Sequence, residues 1–135
     1  MESLMSLIEQ LKDQCIRNTT KIREEANLSP AEYKGISVLN FDESMSGNEL
    51  SRKMKLSPSR ASRVIDRLVK NGYLVRIDDP VDRRRSTVCL ADQGIKIKNK
   101  ITEVIGKCET RVFSALSEQE IKYFSSSIRK ITKIL

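Results

Sequence analysis

Apolar residues recur at helical spacing along most of the chain and change to alternation only once. Leu4, Leu7, Ile8, Leu11, Cys15, Ile16 and Ile22 step three and four apart, predicting an amphipathic helix from Glu2 to about Glu25. Ser29-Pro30-Ala31-Glu32 joins a hydroxyl cap, a first-turn proline and a capping-box glutamate. A second helix therefore starts there, with Tyr33, Ile36, Val38 and Leu39 as apolar members and an end near Asn40. Phe41 to Met45 reads as a linker. Ser46 with Glu49 is a capping box opening a short third helix, and Ser57-Pro58 opens a fourth. Ala61, Val64, Ile65 and Leu68 share one face of that fourth helix, and Asn71-Gly72 stops it with a residue suited to left-handed geometry. The period then shortens to two. Tyr73 to Ile77 and Ser86 to Leu90 predict a hairpin with Asp78 to Arg85 at its tip. Further on, Ile97, Ile101, Val104, Ile105, Cys108, Val112, Phe113 and Leu116 predict a long helix. Ser117 and Glu120 form one more capping box, and Ile121, Phe124, Ile128, Ile131 and Leu135 follow at close to a heptad seam.

The fold class is mainly α with a small β-hairpin wing. A winged helix-turn-helix lobe at residues 46–90 is flanked by helical arms at 1–40 and 92–135, all within one domain of 135 residues. The arms can pack on each other within one monomer or against a second copy. A symmetric homodimer is the preferred reading, because one recognition helix contacts few base pairs and a two-fold pair doubles the site.

The net charge of +7 favours a polyanionic partner, and its placement sharpens that expectation. Arg60, Arg63, Arg67 and Lys70 form a cationic stripe on the fourth helix, away from its apolar face. A basic helix with an apolar back suits the major groove of double-stranded DNA. Arg60 and Arg63 are candidates for base-edge or phosphate contact, with Ser59 and Ser62 beside them, and Ser57 at the helix start is placed to donate to a phosphate. Arg52, Lys53 and Lys55 are further backbone clamps. On the hairpin, neighbours alternate in direction, so Arg83, Arg84 and Arg85 divide their roles. One or two reach a minor groove, and another turns inward to Asp66 or Asp82 as a wing salt bridge. Asp66 otherwise stands oddly on a helix meant for phosphates.

Three cysteines without a CxxC pair suggest neither a disulfide framework nor a zinc ribbon, and suit a reducing cytoplasm. With no histidine, no Gly-rich phosphate loop and no metal-ligand cluster, neither a cofactor nor a metal is expected, and an enzyme is disfavoured. No run of about 18 apolar residues spans a membrane. The acidic start lacks the basic region of a secretory leader.

The order of helix-turn-helix, wing and two arms resembles the MarR (multiple antibiotic resistance regulator) family of transcriptional regulators across essentially the whole chain. The most specific segments are Ser62 to Leu74 and Asp79 to Arg85, where Asp82 and Arg84 stand as the Asp and Arg of the family's wing signature. The resemblance implies an obligate dimer made by the terminal helices. It also implies a recognition helix in the major groove, a wing arginine in the adjacent minor groove, and a repressor that lets go of its operator on binding an effector. That effector is a small anionic or phenolic molecule held between arms and lobe, with Arg17, Arg23 and Tyr33 as lining candidates. One departure is Ala91, where the family usually caps the next helix with threonine; Asp92 is expected to take that cap over. Some relatives sense peroxide through a first-helix cysteine. Cys15 offers that alternative, though its place on the apolar stripe favours a buried small hydrophobe. A further alternative is a non-specific architectural DNA-binding protein.

Overall fold

The computed structural model describes residues 2–82 and 85–135. The elements run α1 (Leu4–Glu25), α2 (Pro30–Ser37), β1 (Met45–Ser46), α3 (Gly47–Met54), α4 (Pro58–Lys70), β2 (Leu74–Ile77), β3 (Thr87–Leu90), α5 (Asp92–Ala115) and α6 (Glu118–Ile134). The chain divides into two compact units, residues 1–101 and 102–135.

In the first unit the core gathers under α4. Ala61, Val64, Ile65 and Leu68 are buried there with Ile36, Leu39, Leu50, Met54 and Leu74. Each fully covered aliphatic side chain contributes roughly 1.5–3 kcal/mol. Local chemistry sets the helix ends. Ser57 Oγ accepts the Arg60 N–H at 3.3 Å at the start of α4. At its other end the Tyr73 N–H donates to the Leu68 carbonyl at 2.9 Å and the Gly72 N–H to Val69 at 3.2 Å. Gly72 takes φ of 82°, so the chain turns sharply from recognition helix into wing. At α2 the predicted box is complete, Ser29 and Glu32 exchanging bonds of 3.1 and 3.0 Å. The helix ends at Ser37, short of Asn40, because Val38 and Leu39 continue as a turn. Lys98 of α5 donates to the Ser37 carbonyl at 2.6 Å, and partial burial lowers its pKa against the opposing pull of Glu43.

The sheet has three strands, in the order β1-β3-β2, rather than the two of a simple hairpin. Met45, expected in a linker, pairs antiparallel with Val88 and is itself buried. Ser46 therefore serves twice, as a sheet residue opposite Thr87 and as the cap that accepts the Glu49 N–H at 3.2 Å. Its capping box is only half formed: the Glu49 carboxylate accepts from the Ser46 hydroxyl at 3.3 Å. Asp92 does not take over the cap of α5, since it is already the first helical residue and the turn opens from the Ala91 carbonyl. Gly94 lets that turn lie directly on the Tyr73 carbonyl, a space no side chain could share.

α1 buries only Ile22, leaving Leu4, Leu7, Leu11 and Ile16 exposed. In the second unit α6 starts at the predicted Ser117–Glu120 box and buries no residue at all. Phe113, Phe124 and Ile128 are exposed, Phe113 at 56%.

Candidate nucleic-acid interface

α4 is amphipathic in the strict sense: its buried residues fall on one side and its cations on the other. Ser57, Ser59, Arg60, Ser62, Arg63, Arg67 and Lys70 are all exposed. None of those three arginines or Lys70 has an ion-pair partner among the described residues, so the stripe is free to meet an outside anion. Ser57 and Ser59 hydroxyls sit 3.4 Å apart at the head of the helix. Lys53, in contrast, is 3.5 Å from Glu43 and is partly occupied.

Of the wing pairs the sequence offers, Arg85–Asp82 is present, whereas Asp66 takes a different cation. Asp66 finds its cation in Arg76 of β2, Nη2 to Oδ1 at 2.7 Å. The pairing follows from strand alternation: Arg76 shares a face with buried Leu74 and lies opposite buried Val88 in the register. That face looks onto α4, and the alternation of Leu74 and Arg76 along β2 is the sequence signal for the pair. Arg85 is exposed and reaches Asp82 at 3.9 Å, while Arg83 and Arg84 lie outside the described residues. Asp79, the first residue of the wing segment, has a structural role of its own. Its carboxylate accepts the Val81 and Asp82 N–H groups at 2.8 and 3.3 Å, an Asx-type turn that orders the approach to the tip.

This arrangement has close counterparts. Residues 17–86 match the model of the MarR family. The uncharacterized HTH-type transcriptional regulator YsmB of Bacillus subtilis (strain 168) is 32% identical over 114 residues, covering 82% of this chain and 76% of that relative. The chain belongs to the MarR family. Among solved structures, S. aureus MepR in complex with DNA superposes with a TM-score of 0.77 at 17% identity, over 100% of both chains. NadR in complex with 4-hydroxyphenylacetate gives 0.74 at 18% identity, over 100% of this chain and 96% of that one. At such identities the likeness speaks for the fold. As a MarR-family member the chain is a DNA-binding transcriptional regulator and not an enzyme.

Two further MarR-family expectations concern named side chains. Arg23 and Tyr33 do line one groove of about 290 Å³, together with Ile16, Thr19, Thr20 and Pro30. Arg17 is not part of it: residues 16, 19, 20 and 23 share a helical face, and position 17 is turned about 100° away. Arg23 Nη1 already donates to the Leu28 carbonyl at 3.1 Å, which fixes the guanidinium while leaving it further donors. Cys15, expected to be buried, is exposed. The reason is that the whole stripe it belongs to, Leu4, Leu7 and Leu11 included, has no cover within the chain. Among the described residues no group of three or more acidic or thiol side chains could hold a metal ion, and no helix is long and apolar enough to cross a membrane.

Proposed function

We propose that the chain binds a pseudo-palindromic DNA operator as a homodimer and acts as a repressor released by a small effector. The observation that carries this reading is the unpaired cationic face of α4, backed by a buried apolar face and set beside a wing. Arg60 and Arg63 take base edges or phosphates, Ser57, Ser59 and Ser62 add hydroxyl contacts, and Arg67 and Lys70 extend the charge along the groove. The wing arginines, Arg83 to Arg85, take the adjacent minor groove. Asp66 and Asp82 set the wing's orientation; exposed pairs of this kind are worth about 0–1 kcal/mol each, so geometry rather than stability is their contribution.

A second copy supplies the cover that the arms lack. Leu4, Leu7 and Leu11 on α1, and Phe113, Phe124 and Ile128 on α5 and α6, are large apolar side chains left exposed at helical spacing, as a face that meets a partner would be. The exposure of Cys15 belongs to the same uncovered stripe, which favours interface packing over peroxide sensing. The groove holding Arg23 and Tyr33 suits a small anionic or phenolic effector, a guanidinium and a phenol ring being natural partners for a carboxylate and an aromatic face. To carry the protein from almost fully bound to almost fully released, such a molecule must favour the releasing conformer by about 5.5 kcal/mol.

Fluorescence anisotropy with a selected operator and a scrambled duplex at fixed salt tests the reading. A preference of about 10³ or more is expected. Equal affinity for both duplexes would leave only an architectural coat.

A further inference from the structure

A polar concavity of the first unit lies between α4 and the wing, apart from the groove that holds Arg23 and Tyr33. It measures about 480 Å³ and is lined by Asn48 at the head of α3, Ser62 and Asp66 on α4, Arg76 on β2 and Ser86 beside β3. Asp66 and Arg76 neutralise each other across it at 2.7 Å. Arg76 has five N–H donors and gives one to Asp66, so its planar fork is held in place with donors to spare. Among the described residues the Asn48 amide and the Ser62 and Ser86 hydroxyls make no hydrogen bond. The cleft thus presents three donor side chains around a pre-oriented guanidinium, with its one carboxylate already satisfied.

Duplex geometry says what belongs there. Major and minor grooves are separated by a single sugar–phosphate strand. A protein with α4 in one groove and its hairpin in the next must straddle that strand, and the space between helix and hairpin is where the strand passes. Phosphate contacts of this kind set register and orientation without reading sequence.

We propose that this cleft is a seat for one DNA phosphodiester in each half-site, bound by Arg76, Ser62, Ser86 and Asn48, with Asp66 a positioning residue that holds the Arg76 fork. The inference rests on the duplex-binding function proposed above. It explains the anion on the recognition helix: Asp66 is there to aim a cation, and its own charge is cancelled in doing so. It also couples the wing's angle to backbone contact, since the residue that ties β2 to α4 is the one that meets the phosphate.

The test uses the full chain, a selected operator duplex, and versions of that duplex in which one phosphate at a time is replaced by a neutral methylphosphonate. Wild-type protein is expected to lose roughly three- to tenfold in affinity at one backbone position per half-site. Ser86→Ala and Asn48→Ala keep the Asp66–Arg76 pair and are expected to weaken binding to the native duplex by a similar factor. They should show no further loss at that same methylphosphonate. Arg76→Gln should reduce the slope of log affinity against log salt by about 0.9 per half-site, whereas Arg76→Lys should keep the slope and lose affinity. Operator-specific binding with unchanged slopes, and no backbone position coupled to these residues, would overturn the seat while leaving the regulator intact. Failure of the wild-type protein to distinguish operator from scrambled duplex would remove both together.

Discussion

Gly94 and Glu120 show how single positions hold this chain in shape. Any side chain at Gly94 would fall on the Tyr73 carbonyl, the point where the start of α5 leans on the exit from the recognition helix. Gly94→Ala is expected to cost about 1–3 kcal/mol through overpacking, read as a shift in the urea midpoint. Gly47→Ala, where nothing lies within 4 Å, is the matched control and should change stability little. Glu120 is tuned in the other direction. The Ser117 backbone N–H, and secondarily its hydroxyl, hold the Glu120 carboxyl below its usual pKa. A carboxylate depressed in the folded state adds stability above its unfolded pKa and loses it as pH falls through the folded value. The difference in melting temperature between wild type and Glu120→Gln should therefore be present at neutral pH and close in acid, in scans between pH 7 and pH 3. A constant difference across that range would show that the charge plays no part in the cap.

Among the elements, α4 and the wing divide the labour of recognition under the proposed function, and variants on each should then fail differently. Arg63 lies on the exposed face of α4. Arg63→Ala should cost about 1–3 kcal/mol on the operator and much less on random duplex, as loss of a base-edge contact does. Arg84→Ala, in the sequence between β2 and β3, should weaken binding mainly through the wing, measured by the same anisotropy titration on A·T-rich and G·C-rich flanks. Leu68→Ala, in the buried back of α4, should cost about 2–5 kcal/mol of folding stability instead. Much of this division was legible in the sequence. Caps at Ser29, Ser57 and Ser117, the stop at Gly72 and the two-sided pattern of α4 are local signals, each needing only a few neighbouring residues. What escaped was non-local. Met45 becomes a strand only because Val88 lies beside it, and Asp66 meets Arg76 only because Gly72 folds β2 back under α4. Cys15 is exposed in the single chain for a related reason: an apolar stripe says that a face wants cover, but not what supplies it.

For the molecule as a whole, function depends on what the arms do with their uncovered faces. Ile128, on α6, is one of the exposed large apolar residues of the chain. Ile128→Asp should shift sedimentation from dimer to monomer at micromolar concentration and abolish operator binding without unfolding the winged lobe. In the proposed dimer, two recognition helices brought together by the arms would meet successive major grooves about 34–36 Å apart, which would fix the shape of the DNA site before any base is specified. Selection of bound sequences from a pool of random duplex DNA tests that claim most directly. The account predicts an inverted repeat with half-site centres about one helical turn apart. A single unrepeated half-site, or no enrichment of sequence at all, would contradict it.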